Sequence, residues 1–186
     1  MAPATLVLAA LAPLAIGIVL ELLLARVLSP RAKGVVALLC SALALAAVAM
    51  LLPEVRGGAA IEVQLARWDG PFQLLLHVDA LSVLFAAMAA GIGAAVLLFS
   101  VGYMADDPAC TRFYALMLAF ISGLVGLVFS ANLFLVYASW ELVGLCSFAL
   151  VGFWYRDAEA VRGARKVLLM THLAGYGLLA AVLVLY

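Results

Sequence analysis

An acidic side chain in the middle of an apolar run is the most chemically pointed feature of this sequence. Glu141 stands in the run from Asn132 to Tyr155, about nine residues from one end and about fourteen from the other. At about 1.5 Å of rise per residue, that is near the middle of a helix long enough to cross a bilayer. A carboxylate at this depth costs roughly 2.5–3.5 kcal/mol on insertion scales, so it must face protein, find a cation or water, or hold a proton. Burial and neighbouring cations together set the proton affinity of such a group, which suits it to charge transfer. His172 lies in the last apolar run, about two turns beyond Lys166. Its imidazole could relay protons near physiological pH or could be an inert hydrogen-bonded group. Arg165, His172 and Tyr176 recur at helical spacing and share a face. Lys166 reads first as a snorkelling anchor and second as a pathway residue. Glu21, near the basic end of the first run, is expected to snorkel or to reach for Arg26, with a role in ion transfer as the weaker alternative.

The elements that must position these groups follow from composition. Of 186 residues, 69% are hydrophobic and 11% charged. A soluble domain is about 45–50% apolar and about 25% charged, so this chain cannot clothe a water-facing surface and is not a soluble enzyme. Ten Lys+Arg balance ten Asp+Glu, leaving no basic surplus for nucleic acid, and so apolar a chain is not disordered. Six apolar runs meet the length of a span, near 4–25, 34–52, 79–101, 113–130, 132–154 and 166–186. The first lacks the basic leader of a signal peptide and contains Glu21, so it counts as a span. The fold class expected is an all-α polytopic membrane protein of six transmembrane helices with one extracytoplasmic β-hairpin.

Every Lys and Arg except Arg56 and Arg67 falls after the first, third or fifth run. The positive-inside rule then puts the N-terminus outside and those three basic segments, including Tyr155-to-Arg165 as a loop, in the cytoplasm. The long outer connection alternates Ile61, Val63 and Leu65 with Glu62, Gln64 and Ala66. It turns at Trp68-Asp-Gly-Pro71 and alternates again through Phe72, Leu74, Leu76 and Val78, the pattern of a hairpin at about 60–78. Two strands alone are marginal, so the hairpin should lie across helix ends or a partner subunit. Ser122, Gly126 and Ser130, and likewise Ala87, Gly91 and Ala95, recur every fourth residue as stripes where helix backbones approach closely. Gly144, three residues after Glu141, leaves room for a helix or water on that face. Cys40, Cys110 and Cys146 lack CxxC spacing and point to packing, with no disulfide, zinc site or iron–sulfur cluster expected. His172 is the only histidine within a span, so a bis-histidine haem has no pair, and no nucleotide, flavin or quinone motif is visible.

Several blocks together carry a resemblance. Asp79-Ala-Leu-Ser82, Gly102-Tyr-Met104, Arg112-Phe-Tyr114, Ser130-Ala-Asn-Leu133, Trp140-Glu-Leu-Val-Gly-Leu-Cys-Ser147 and Gly152-Phe-Trp-Tyr155 occur in order. In these the chain resembles the antiporter-like membrane subunits of respiratory complex I, above all the chain L/subunit 5 branch, with related Mrp-type and hydrogenase-linked subunits. The resemblance implies the first six helices of a longer inverted-repeat proton channel with discontinuous helices. It divides the chain into an N-terminal antiporter-subunit region, 1–111, and the start of the proton-translocating bundle, 112–186. Glu141 then matches the family's buried glutamate, which pairs with a lysine on a later helix, and Glu141, His172 and Lys166 are the candidate proton-translocation residues. That lysine lies beyond this sequence, which therefore reads as an N-terminal portion that would not conduct alone. Where chain L members carry Arg-Val-Gly-Asp, this chain has His172-Leu-Ala-Gly175, a departure towards the Mrp and hydrogenase-linked relatives.

The implied function is a non-catalytic subunit of a redox-driven proton-translocating NADH:quinone oxidoreductase in the cell inner membrane. No cofactor is expected in this chain; quinone and electron carriers belong to partner subunits. The alternatives are an Mrp-type cation/proton antiporter, a hydrogenase-linked ion pump, or a structural or assembly protein of such a complex.

Overall fold

The computed structural model describes residues 3–66 and 74–185. Its elements run α1 (Pro3–Leu23), α2 (Pro30–Leu51), β1 (Ile61–Ala66), β2 (Leu74–Val78), α3 (Ala80–Tyr103), α4 (Cys110–Phe129), α5 (Leu133–Val151) and α6 (Ala158–Leu185). All six helices among the described residues are long and apolar enough to cross a membrane, so the chain is a multi-pass, mostly helical membrane protein with a small two-stranded sheet. Helices α1 to α4 pack mutually; α5 lies against α4, and α6 packs on α5 at the margin.

Polar residues start the helices. Ser29 accepts from the Ala32 N–H ahead of Pro30, and Asn132 accepts from the Leu135 N–H at 2.8 Å. Asp79 and Ser82 form a reciprocal capping box at the head of α3, with the Ser82 N–H and hydroxyl donating to the carboxylate at 2.8 and 2.6 Å. The Ser82 hydroxyl, then its backbone N–H, hold the Asp79 carboxyl below its ordinary range. A lowered folded value stabilises above the unfolded pKa, and that share is lost as pH falls through the lowered value.

Two helices begin a full turn or more before their apolar runs. α2 starts at Pro30, which draws Arg31 and Lys33 into its first turn. α6 starts at Ala158, so Arg162, Arg165 and Lys166 are helical and the expected loop ends near Asp157. Asp157 accepts from the Glu159 N–H at 2.9 Å, and Arg162 pairs with Glu159 at 3.5 Å, so charged residues build this first part of the helix.

The hairpin exists and lies across helix ends. β1 touches α1, and β2 touches α3 and α4. Beyond the sheet, Leu76 bridges to Ser130, and the Ala131 N–H donates to the Leu75 carbonyl at 3.1 Å. In the antiparallel register Val63 faces Leu76 and Ile61 faces Val78, with Val63, Leu76 and Val78 buried. Glu62 and His77 pair on the other face at 3.5 Å. The register shifts between Gln64 and Ala66, so Leu65 leaves the inward row expected for it and is exposed. The expected turn at Trp68-Asp-Gly-Pro71, and Phe72, lie outside the described residues. Gly57 and Gly58 reverse the chain ahead of β1 at φ of 81° and 86°, a conformation that glycine adopts freely.

The small-residue stripes are only partly as expected. On α4, Gly126 faces the Ser139 hydroxyl of α5, where an added Cβ would lie 3.3 Å away. On α3 the buried line is Val83, Ala86, Ala90, Gly93, Leu97 and Ser100. Ala87 and Gly91 are half-buried and Ala95 is exposed, so the stripe sits one residue round from the expected one. Gly93 is the close-approach position there, filled by Ile121 of α4.

Candidate functional site

Glu141 and His172 meet. α5 and α6 approach closely because Gly144 faces Thr171, where an added Cβ would lie 3.3 Å from the threonine side chain. The Trp140 indole N–H donates to the Thr171 carbonyl at 3.4 Å, pinning the same level of the interface. One turn along α6, Gly175 opens a space that Glu141 fills; a Cβ there would overlap its Oε1. The remaining oxygen, Oε2, lies 3.5 Å from His172 Nε2, an ion-pair separation too long for a strong hydrogen bond.

Hydrogen bonding limits where the protons sit. His172 Nδ1 lies 3.1 Å from the Leu168 carbonyl, which can only accept, so that bond requires a proton on Nδ1. Nε2 and Oε2 then form an attractive contact when one further proton sits on either of them. Without it, two acceptors face each other. Both side chains are partly accessible, about a fifth to a quarter, whereas Glu141 Oε1 is buried with no hydrogen-bond partner among the described residues. A buried oxygen in that condition offers an acceptor to any cation brought against it.

Lys166 does not join them. It is exposed near the start of α6, six residues before His172, and helical geometry turns it away from the histidine's face. Arg165 shares the face but is also exposed. Thus two of the three candidate residues converge and the third stands apart.

A fully buried acid, Glu21, was misjudged from sequence. Glu21 neither snorkels nor reaches Arg26, which is exposed; it is 0% exposed, and both carboxylate oxygens lack a hydrogen-bond partner among the described residues. Lys33, taken from sequence as an orientation signal, is buried at 6% exposure and donates from Nζ to the Ala25 carbonyl at 2.7 Å, within electrostatic reach of Glu21. The available sequence signals were Gly17, one turn before Glu21, and Gly34 beside Lys33, both at close helix contacts. Arg112, also an orientation signal, donates to the Phe153 carbonyl at 2.6 Å and lies over the Phe153 and Tyr155 rings, tying α4 to the α5–α6 turn.

Comparison with known proteins agrees with this architecture. Residues 69–114 match the family described as NADH-ubiquinone oxidoreductase (complex I), chain 5 N-terminus, and residues 130–186 match the NADH:quinone oxidoreductase/Mrp antiporter transmembrane family. NAD(P)H-quinone oxidoreductase chain 5 of Picosynechococcus is 39% identical over 74% of this chain and 21% of its own length. NADH-quinone oxidoreductase subunit L of Mycobacterium tuberculosis is 37% identical over 70% of this chain and 22% of its own. Among solved structures, the Mrp complex from Dietzia matches with a TM-score of 0.76 and 26% identity, over 95% of this chain and 19% of the matched chain. This chain thus spans about a fifth of the length of these relatives.

Proposed function

Because the chain belongs to the family of antiporter-like membrane subunits shared by NADH:quinone oxidoreductases and Mrp antiporters, we propose that it contributes the Glu141–His172 proton site of a redox-driven proton translocase. The observation that carries this reading is the meeting of two protonatable groups, 3.5 Å apart, within two apolar helices, with one carboxylate oxygen buried and unpartnered. Glu141 neither binds a reducible substrate nor moves electrons. It accepts the positive charge of a proton, or of an ammonium on a neighbouring helix, and His172 passes the proton onward. Lys166, at the basic end of α6, supplies a cation at the mouth and not a step within the membrane.

The partners follow from the exposed faces. Only 11% of the apolar stretch of α6 and 17% of that of α5 is buried, against 44% in α2, so the site's own helices are those left to be covered by further membrane helices. Quinone and electron carriers belong to partner subunits. The resemblance to an Mrp complex favours a second reading, cation/proton exchange, and a requirement for sodium in proton uptake separates the two.

The setting is the cell inner membrane with the N-terminus outside, since the ends carrying Arg31, Arg112 and Arg162 are basic. A reporter inserted at Gly58 should then read extracytoplasmic and one at Asp106 cytoplasmic; the reverse pattern inverts the topology. The function itself is tested at His172. In the complete complex reconstituted in vesicles, His172→Ala should slow proton transport by at least about tenfold, a bound set below the roughly 10²-fold that losing a positioned general acid or base costs at the low end. His172→Arg, whose guanidinium stays charged and cannot pass a proton on, should slow it as well. Equal transport by His172→Ala would remove the histidine from the path.

A further inference from the structure

Glu21 has no task in the site described above, and its surroundings are unusual for a carboxylate. It lies on the last turn of α1, wholly buried, with neither oxygen hydrogen-bonded among the described residues. The helices pack closely one turn before it, and again beside Lys33. An added Cβ at Gly17 would lie 2.9 Å from Leu118 Cδ1 and 3.0 Å from Cys40 Cβ. One at Gly34 would lie 2.6 Å from the Tyr114 hydroxyl.

Among the described residues, the titratable groups within electrostatic reach of Glu21 are the Lys33 ammonium and the Cys40 thiol from α2 and the Tyr114 phenol from α4. Tyr114 already donates to the Ser100 carbonyl at 2.9 Å, and a thiol is a weak donor. Lys33 spends one N–H on the Ala25 carbonyl. As arranged, no donor serves the carboxylate, and an ionised buried carboxylate without donors costs far more than the neutral acid.

We propose that Glu21 is a second proton-binding site of this chain and that Lys33 is the switch that empties it. With Lys33 on the Ala25 carbonyl, Glu21 holds its proton as a neutral acid. When the flexible four-carbon stem of Lys33 swings its ammonium onto the carboxyl, the ionised form gains a charge-assisted partner. The proton then leaves towards the basic end of α1 and α2. Sodium is a poor alternative occupant, because the Lys33 ammonium already provides the positive charge and the enclosure offers too few oxygens to replace a hydration shell. This site stands apart from the Glu141–His172 pair and does not depend on the transport role given to that pair.

The test reads protonation directly. Infrared spectra of the intact complex in lipid are recorded across a pH series for the parent, Glu21→Gln and Lys33→Met. The parent should show a carboxylic-acid carbonyl band, absent from Glu21→Gln, that fades as pH rises. In Lys33→Met, which keeps the stem and removes the ammonium, the band should persist to a pH higher by at least about one unit, a tenfold change in proton affinity. A Glu21 that contributes no acid band at any pH is a fixed carboxylate, and the proposal fails. A band with the same pH response in parent and Lys33→Met removes Lys33 as the switch. If Glu21→Gln does not assemble, the comparison of parent with Lys33→Met still decides.

Discussion

Replacing Glu141 by Gln in the complete complex should cut coupled proton transport by about 10²-fold while the subunit still assembles. The amide keeps the carboxylate's shape, so it still fills the space opposite Gly175 and leaves the Trp140–Thr171 contact in place. What it loses is the capacity to carry charge or a proton. His172 Nε2 would then face a neutral amide at the 3.5 Å position, and the exchangeable proton of the pair would have only the imidazole to sit on. The buried Oε1, unpartnered among the described residues, would no longer attract an ammonium from another helix. Glu141→Asp should retain partial transport, because the charge survives but is withdrawn by one methylene from both His172 and Gly175. Transport is read as acidification of reconstituted vesicles, with assembly checked by the intact complex on a native gel. Normal transport by an assembled Glu141→Gln complex would sink the proposed role.

Much of this architecture was legible because a bilayer imposes its demand on composition directly. Six apolar runs predicted six helices, and the alternation of Val63 with its polar neighbours predicted the strand that buries it. The errors came where composition is silent. Charged residues can occupy the first turns of a membrane helix once they stand outside the hydrocarbon, so hydropathy missed the start of α6, whereas the Asp157 cap fixes it. A bulge alters the strand period after Gln64, which no alternation rule foresees, and Leu65 turns outward there. On α3, small residues are so frequent that two stripes fit the spacing equally well. Only Ile121 of α4, seated against Gly93, distinguishes them.

The candidate site was legible by residue and not by partnership. The depth of Glu141 could be counted along the chain, and so could that of His172. That they face each other depends on the offset between α5 and α6, set by Gly144 against Thr171 and Gly175 against Glu141. Glu21 failed for a related reason. An acid near a helix end can snorkel or be enclosed, and the choice rests on which face of α1 meets α2 and α4. Gly17 marks that face, but a glycine in a membrane helix is too common to be read alone.

Gly175 should accordingly be the most sensitive position that carries no chemistry. A Cβ there would overlap Glu141 Oε1 and lie 3.7 Å from Trp140 Cδ1, so the carboxyl must move. Gly175→Val places three carbons in that space. Either Glu141 changes rotamer and leaves His172, or α6 moves off α5; overpacking of this kind costs about 1–3 kcal/mol. Within that range, about 1.4 kcal/mol against the paired geometry is already tenfold in its population, so transport should fall by about tenfold. The effect should be specific to side-chain volume. Gly175→Ala should lie between parent and Gly175→Val, whereas Gly177→Ala, with nothing within 4 Å of its added Cβ, should transport as the parent does. Pairing Gly175→Val with Glu141→Gln separates the two explanations. If valine acts by expelling the carboxyl, it should add little in a chain that has already lost that charge. A further large loss in the double variant would mean that it acts by separating the helices.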